Sequence, residues 1–167
     1  MTVILICGLP GVGKSAISKK LASRLKAVVL STDKIRKELI KNPTYNSKEK
    51  KQIYDIMILL AKYLHEANIP CILDATFSKD SFRKQVKKKI GISGSQFQVV
   101  ECICPEKLII SRLKSRKNDY SDADVPVYKK MKKIYESVKG KHIQVNTEVS
   151  ADINAKLIHQ KILEDGI

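Results

Sequence analysis

Eight consecutive residues, Gly8-Leu9-Pro10-Gly11-Val12-Gly13-Lys14-Ser15, carry the clearest chemistry in this 167-residue chain. They fit the spacing G-x-x-x-x-G-K-[ST], in which each residue type answers a need of a bound polyphosphate. Gly8, Gly11 and Gly13 let the backbone curl, with Pro10 and Val12 between them, so that successive N–H groups point into one anion-sized hollow. Lys14 is expected to reach the β- and γ-phosphates, and Ser15 to offer its hydroxyl to a magnesium ion. An ordinary Gly-rich turn has no need of Lys and Ser at those offsets. The loop therefore predicts binding of a nucleoside triphosphate, ATP with Mg2+.

Three further groups of residues could act on that triphosphate. Asp33 and Arg36 stand three apart at the head of an expected helix, so both can face one crevice. A carboxylate there could take the proton from an acceptor hydroxyl in line with the γ-phosphate, and an arginine could hold an acceptor phosphate in bidentate fashion. The same pair could instead stabilise a helix N-terminus and add surface charge. Asp74 ends the apolar run Cys71-Ile72-Leu73, where it could sit near the magnesium ion, orient Arg36, or cap the following helix. Arg112 and Arg116 lie four apart, just before the polar stretch 117–124, as a lid over the transferring phosphoryl group would require. A solvated basic helix end is the other reading of that pair.

The elements that must position these groups follow from hydrophobic period. Val3-Ile4-Leu5-Ile6-Cys7 reads as a strand buried on both faces, and Ile17, Leu21 and Leu25 recur at helical spacing after the loop. Further strands are expected at 27–31, 69–74, 96–104 and 142–145. Helices are expected at about 32–41, 48–67, 78–90, 105–116 and 125–139, with a last one from Ser150. Strands separated by helices imply an α/β fold in three layers, a parallel sheet with helices on both faces and its binding crevice at the carboxyl ends of the strands.

Composition narrows the classes. The length and the 43% apolar content suit one domain, residues 1–167, with a lid at about 112–125. Apolar runs such as 56–61 break well short of a membrane span, so a cytoplasmic protein with no membrane partner and no obligate protein partner is expected. Cys7, Cys71, Cys102 and Cys104 all fall in expected strands, where a free thiol behaves as a small hydrophobe. His65, His142 and His159 show no ligand spacing. The net charge of +15 invites a phosphate-rich partner, although Lys-rich surfaces also occur in heat-adapted proteins.

Four segments together, 8–15, Ser31-Thr32-Asp33-Lys34-Ile35-Arg36, Leu73-Asp74-Ala75-Thr76 and Arg112-Leu113-Lys114-Ser115-Arg116, resemble the small P-loop kinases that include polynucleotide 5′-kinase domains and many predicted kinases. The resemblance runs to about Tyr135 and implies a nucleoside monophosphate kinase-like P-loop NTPase fold with five strands in the order 2-3-1-4-5. It further implies that Asp33 is the general base, that Arg36 contacts an acceptor phosphate, that Asp74 supports the acceptor site and that Arg116 contacts the donor phosphates. Segment 121–125 looks like that of the predicted kinases more than that of the polynucleotide enzymes. The expected activity is transfer of the ATP γ-phosphate to a hydroxyl. A 5′-hydroxyl of single-stranded nucleic acid is the first choice of acceptor, with a small molecule or nucleotide as the alternative. A regulatory NTPase switch, or a basic nucleic-acid-binding module that uses ATP incidentally, is a reading from another class.

Overall fold

Residues Val3–Cys7 form β1, apolar at every position and buried throughout. A computed structural model, which describes residues 2–117 and 120–165, places this strand at the centre of a sheet, as its composition demands. The phosphate loop leaves β1 and enters α1 (Lys14–Leu25), followed by β2 (Val28–Ser31), α2 (Thr32–Leu39) and α3 (Ser47–Glu66). Then come β3 (Cys71–Asp74), α4 (Asp80–Ile90), β4 (Phe97–Ile103), α5 (Glu106–Ser115), α6 (Val125–Ile134), β5 (Ile143–Asn146) and α7 (Ala151–Asp165). Among the described residues the five strands are all parallel, in the order β2-β3-β1-β4-β5 that the family resemblance implies.

Strand alternation divides the core in two. Val3, Leu5 and Cys7 pack with Ile53, Met57 and Ala61 of α3 and Val86 and Ile90 of α4. Ile4 and Ile6 pack on the other face with Ile17 and Leu21 of α1, Ile109 and Leu113 of α5, and Ala155 and Ile158 of α7. Side chains cap three of the helix starts. Ser31 Oγ accepts from the Lys34 N–H at 3.4 Å, Asn46 Oδ1 from the Glu49 N–H at 2.8 Å, and Asp124 Oδ1 from the Val127 N–H at 2.9 Å.

The largest departure from expectation lies at the end of α6. Helical spacing predicts a helix to about Lys139, but it stops at Ile134 because two buried side chains from distant elements claim the next residues. Arg83 of α4 donates to the carbonyls of Phe77 (2.6 Å), Glu136 (2.6 Å) and Ser137 (3.1 Å). Glu101 of β4 accepts from Tyr135 Oη at 3.0 Å and from the Val138 N–H at 3.1 Å. These partners satisfy the backbone groups that further helical turns would have used. Cys7, Cys71 and Cys102 are buried free thiols, and burial pushes Cys7 up to about 11 and the other two to about 12. Among the described residues no helix is long and apolar enough to cross a membrane.

Asp80 gives this region a pH signature. The Lys84 ammonium at 2.7 Å and the Lys139 N–H at 3.2 Å hold its carboxyl down from 3.8 to about 2. A depressed folded value means that this stabilisation is present above the unfolded value and disappears as the pH falls from about 4 to about 2. Acid unfolding followed by circular dichroism should lose stability through that window, and Asp80→Asn should flatten that part of the profile.

Candidate active site

The carboxyl ends of three neighbouring strands build the site. In the sheet Ile6 of β1 and Ser31 of β2 both stand opposite Asp74 of β3. The phosphate loop springs from β1 just beyond Ile6, and α2, which carries Asp33, starts at Ser31. This is the end of a parallel sheet where such folds bind ligands.

The loop itself needs its glycines. Gly8, Gly11 and Gly13 adopt φ of +145°, +77° and +100°, and Gly8 donates its N–H to the Thr76 carbonyl at 3.3 Å. A Cβ on Gly8 would stand 2.6 Å from the Cys102 carbonyl oxygen, and one on Gly11 2.8 Å from Leu113 Cγ. Gly8→Ala is therefore expected to cost about 1–3 kcal/mol, read as a lower midpoint in denaturant, because a backbone carbonyl cannot step aside as a flexible side chain can. Val12 is buried in the core beneath the loop, and Pro10 is buried beside it.

Lys14 folds its ammonium over the loop, donating to the Gly8 carbonyl at 2.9 Å and the Leu9 carbonyl at 3.0 Å. Ser15 is exposed, and its hydroxyl reaches the Asp74 carboxylate together with that of Ser18. Asp74 is only 4% exposed. Burial raises its carboxyl above the usual range, the nearby Asp33 charge adds to that, and the Lys14 charge and the two hydroxyls work against it. Lys14, Ser15, Asp33 and Asp74 therefore share one electrostatic neighbourhood. A hydroxyl and a carboxylate side by side are hard oxygen donors of the kind magnesium takes, so Ser15 and Asp74 fit the ion.

Asp33 is part-exposed at the head of α2, and Arg36 one turn on is buried. The Arg36 guanidinium is turned towards carboxylates. Nη1 lies 3.2 Å from Asp33 Oδ1 and Nε 3.0 Å from Glu49 Oε1, with the Tyr45 ring 4.9 Å from the guanidinium carbon. Glu49 also accepts from the Thr44 N–H (2.6 Å), the Thr44 hydroxyl (2.8 Å) and the Tyr45 N–H (3.2 Å). Burial pulls Glu49 upward, but these hydrogen bonds and Arg36 outweigh it, and its carboxyl is held below the usual range. Glu49 escapes the sequence reading. The spacing Asn46-x-x-Glu49 marks a helix start, but nothing local shows that the carboxylate also meets Arg36.

Arg112 lies against the phosphate loop and the segment after β5. Its Nη1 donates to the Val12 carbonyl at 3.1 Å and to Thr147 Oγ1 at 3.0 Å, and its Nη2 to the Thr147 carbonyl at 2.6 Å. The guanidinium thus ties the phosphate loop to the residue that follows β5, and Thr147 is a second partner that no sequence motif announces. Arg116 is half-buried at the end of α5. Residues 118 and 119 of the expected lid lie outside the described residues. Beyond them, Asp122 accepts from Lys37 Nζ at 2.8 Å and from the Tyr45 hydroxyl, which brings segment 120–124 against α2 and the α2–α3 loop.

The profile of a family described as the AAA domain matches residues 3–138. Among solved structures, the chain is similar to the Mycobacterium tuberculosis APS kinase in complex with AMPPNP and APS, at 18% identity, with 98% of this chain and 97% of that one covered and a TM-score of 0.72. A gluconokinase from Sinorhizobium meliloti is similar at 13% identity, with 98% and 92% covered and a TM-score of 0.70. A sugar kinase from Janibacter sp. is similar at 12% identity, with 99% and 95% covered and a TM-score of 0.72. At these identities the likeness shows the fold alone. No curated protein matches the chain.

Proposed function

We propose that this chain, which belongs to the AAA domain family, is an ATP-dependent phosphotransferase that moves the γ-phosphate to a hydroxyl of a small molecule or nucleotide. One observation carries the proposal: Lys14, Ser15, Asp33 and Asp74 gather at the carboxyl ends of adjacent parallel strands, a phosphate cradle on one side and a part-exposed carboxylate on the other. The named activities of the similar structures, all kinases of small acceptors, lend support to that acceptor class. They give none to the nucleic-acid 5′-hydroxyl expected first from the sequence, so the small acceptor takes its place.

Each residue has a stated part. The backbone N–H groups of 8–13 and the Lys14 ammonium hold the β- and γ-phosphates. Ser15 and Asp74 would hold the magnesium ion, which when bound neutralises phosphate charge. Asp33 accepts the proton of the acceptor hydroxyl as that oxygen bonds to the γ-phosphorus and the bond from γ-phosphorus to the bridging oxygen breaks, releasing ADP. Arg36 orients Asp33 through the 3.2 Å contact, Arg112 steadies the loop through Val12, and Arg116 comes over the donor phosphates as part of a lid at about 112–125. Residues 1–167 act as one domain in the cytoplasm.

The test is ADP release above background across a panel of hydroxyl acceptors, with wild-type protein and Asp33→Asn. Acceptor-stimulated release that is lost in the variant supports the proposal. Release at one rate with and without every acceptor, unchanged in Asp33→Asn, refutes it and favours an NTPase switch.

A further inference from the structure

We infer that the acceptor carries no phosphate or other anionic group and is an uncharged polyhydroxylated molecule, a sugar or polyol in class. This rests on the kinase reading and narrows it. The chain as a whole bears a net charge of +15, which would favour anionic acceptors anywhere on an averaged surface. The acceptor side of the site reverses that balance. There Asp33, Glu49 and Asp122 stand against Arg36 and Lys37, three carboxylates to two cations, all within direct ion-pair distance of one another's partners.

Both cations are already engaged. The Arg36 side chain is 6% exposed: Nη1 donates to Asp33, Nε lies buried 3.0 Å from Glu49 Oε1 without a hydrogen bond to it, and Tyr45 covers one face of the guanidinium. Bidentate capture of a phosphate needs two adjacent N–H groups on one open edge of the fork, and the Nε edge is buried against the Glu49 carboxylate. Glu49 is fixed in turn by three donors from Thr44 and Tyr45, so it cannot swing away without leaving those groups unpaired. Lys37 is held at 2.8 Å by Asp122, which also accepts from Tyr45. An incoming phosphate would meet the part-exposed Asp33 and Asp122 carboxylates, and like charges at close range are a strong selection against a partner. A hydroxyl meets the opposite situation, because carboxylate oxygens accept from it. Asp33 suits such an acceptor twice, as proton acceptor and as an anchor for a neighbouring hydroxyl.

The experiment uses matched acceptors: sugars against their phosphates, nucleosides against their monophosphates, and a 5′-hydroxyl oligonucleotide. The expected result is a kcat/KM for the uncharged member at least about tenfold above its phosphorylated partner, with Glu49→Gln narrowing that ratio by removing the negative charge beside the Arg36 guanidinium. A wild-type preference for phosphorylated members or for the oligonucleotide overturns the inference while leaving the kinase reading intact. A second measurement decides the matter without turnover: calorimetric titration of inorganic phosphate into ADP-loaded protein. Wild type should show no binding up to about 10 mM, and Glu49→Gln should bind about tenfold more tightly or better. Phosphate binding by wild type that Arg36→Gln abolishes overturns the inference. Should Glu49→Gln fail to fold, Asp122→Asn on the exposed segment removes one carboxylate of the same set and should shift both readouts in the same direction. If no acceptor stimulates ADP release while phosphate is still excluded, the kinase reading fails and the electrostatic exclusion of anions stands.

Discussion

Lys14→Ala is expected to lower kcat/KM for acceptor phosphorylation by about a thousandfold, roughly 4 kcal/mol of transition-state stabilisation, while the protein stays folded. The ammonium is the one side-chain cation bonded to the loop carbonyls of Gly8 and Leu9 among the hydrogen bonds described, and it also lowers the Asp74 carboxyl. Its removal takes away the one side-chain cation that the proposed site places within the phosphate loop itself. Folding is spared because the half-buried side chain contributes to the loop surface and not to either core layer. Steady-state kinetics with a parallel thermal melt checks both parts. A large drop in melting temperature would mean that the residue holds the loop together, and near-normal kinetics would remove it from the donor site.

Asp33→Asn should reduce kcat by about 10²–10⁴ and leave ATP affinity unchanged, the pattern for losing a proton acceptor without losing a binding group. The substitution keeps shape and removes charge. Arg36 retains Glu49 at 3.0 Å, so the buried guanidinium is not stranded. Raising KM for ATP instead would place Asp33 on the donor side and undo its assignment as base. The two variants therefore separate the halves of the site, Lys14 acting on donor binding and chemistry together, Asp33 on chemistry alone.

Much of this arrangement is visible in the chain because its parts are local. The loop 8–15 carries its glycines, lysine and serine in one run, β1 is apolar at each position because both faces are covered, and Ser31 and Asp33 sit three residues before the groups they serve. What stays hidden depends on residues far apart in sequence. Glu49 meets Arg36 across the α2–α3 loop, Thr147 meets Arg112 over 35 positions, and Arg83 with Glu101 straightens residues 135–139, which helical spacing alone extends as a helix. Net charge hides local pairing in the same way. The sum is +15, whereas ion pairing gathers carboxylates around Arg36 and Lys37.

The most direct test of phosphoryl transfer follows the γ-phosphorus itself, by 31P NMR of ATP and magnesium incubated with the protein and an uncharged polyol acceptor. Transfer predicts that the γ signal is replaced by that of a phosphomonoester, in step with ADP. Its conversion to inorganic phosphate alone, at a rate the acceptor does not change, would contradict the assignment of Asp33 and the phosphate loop as two halves of a kinase site.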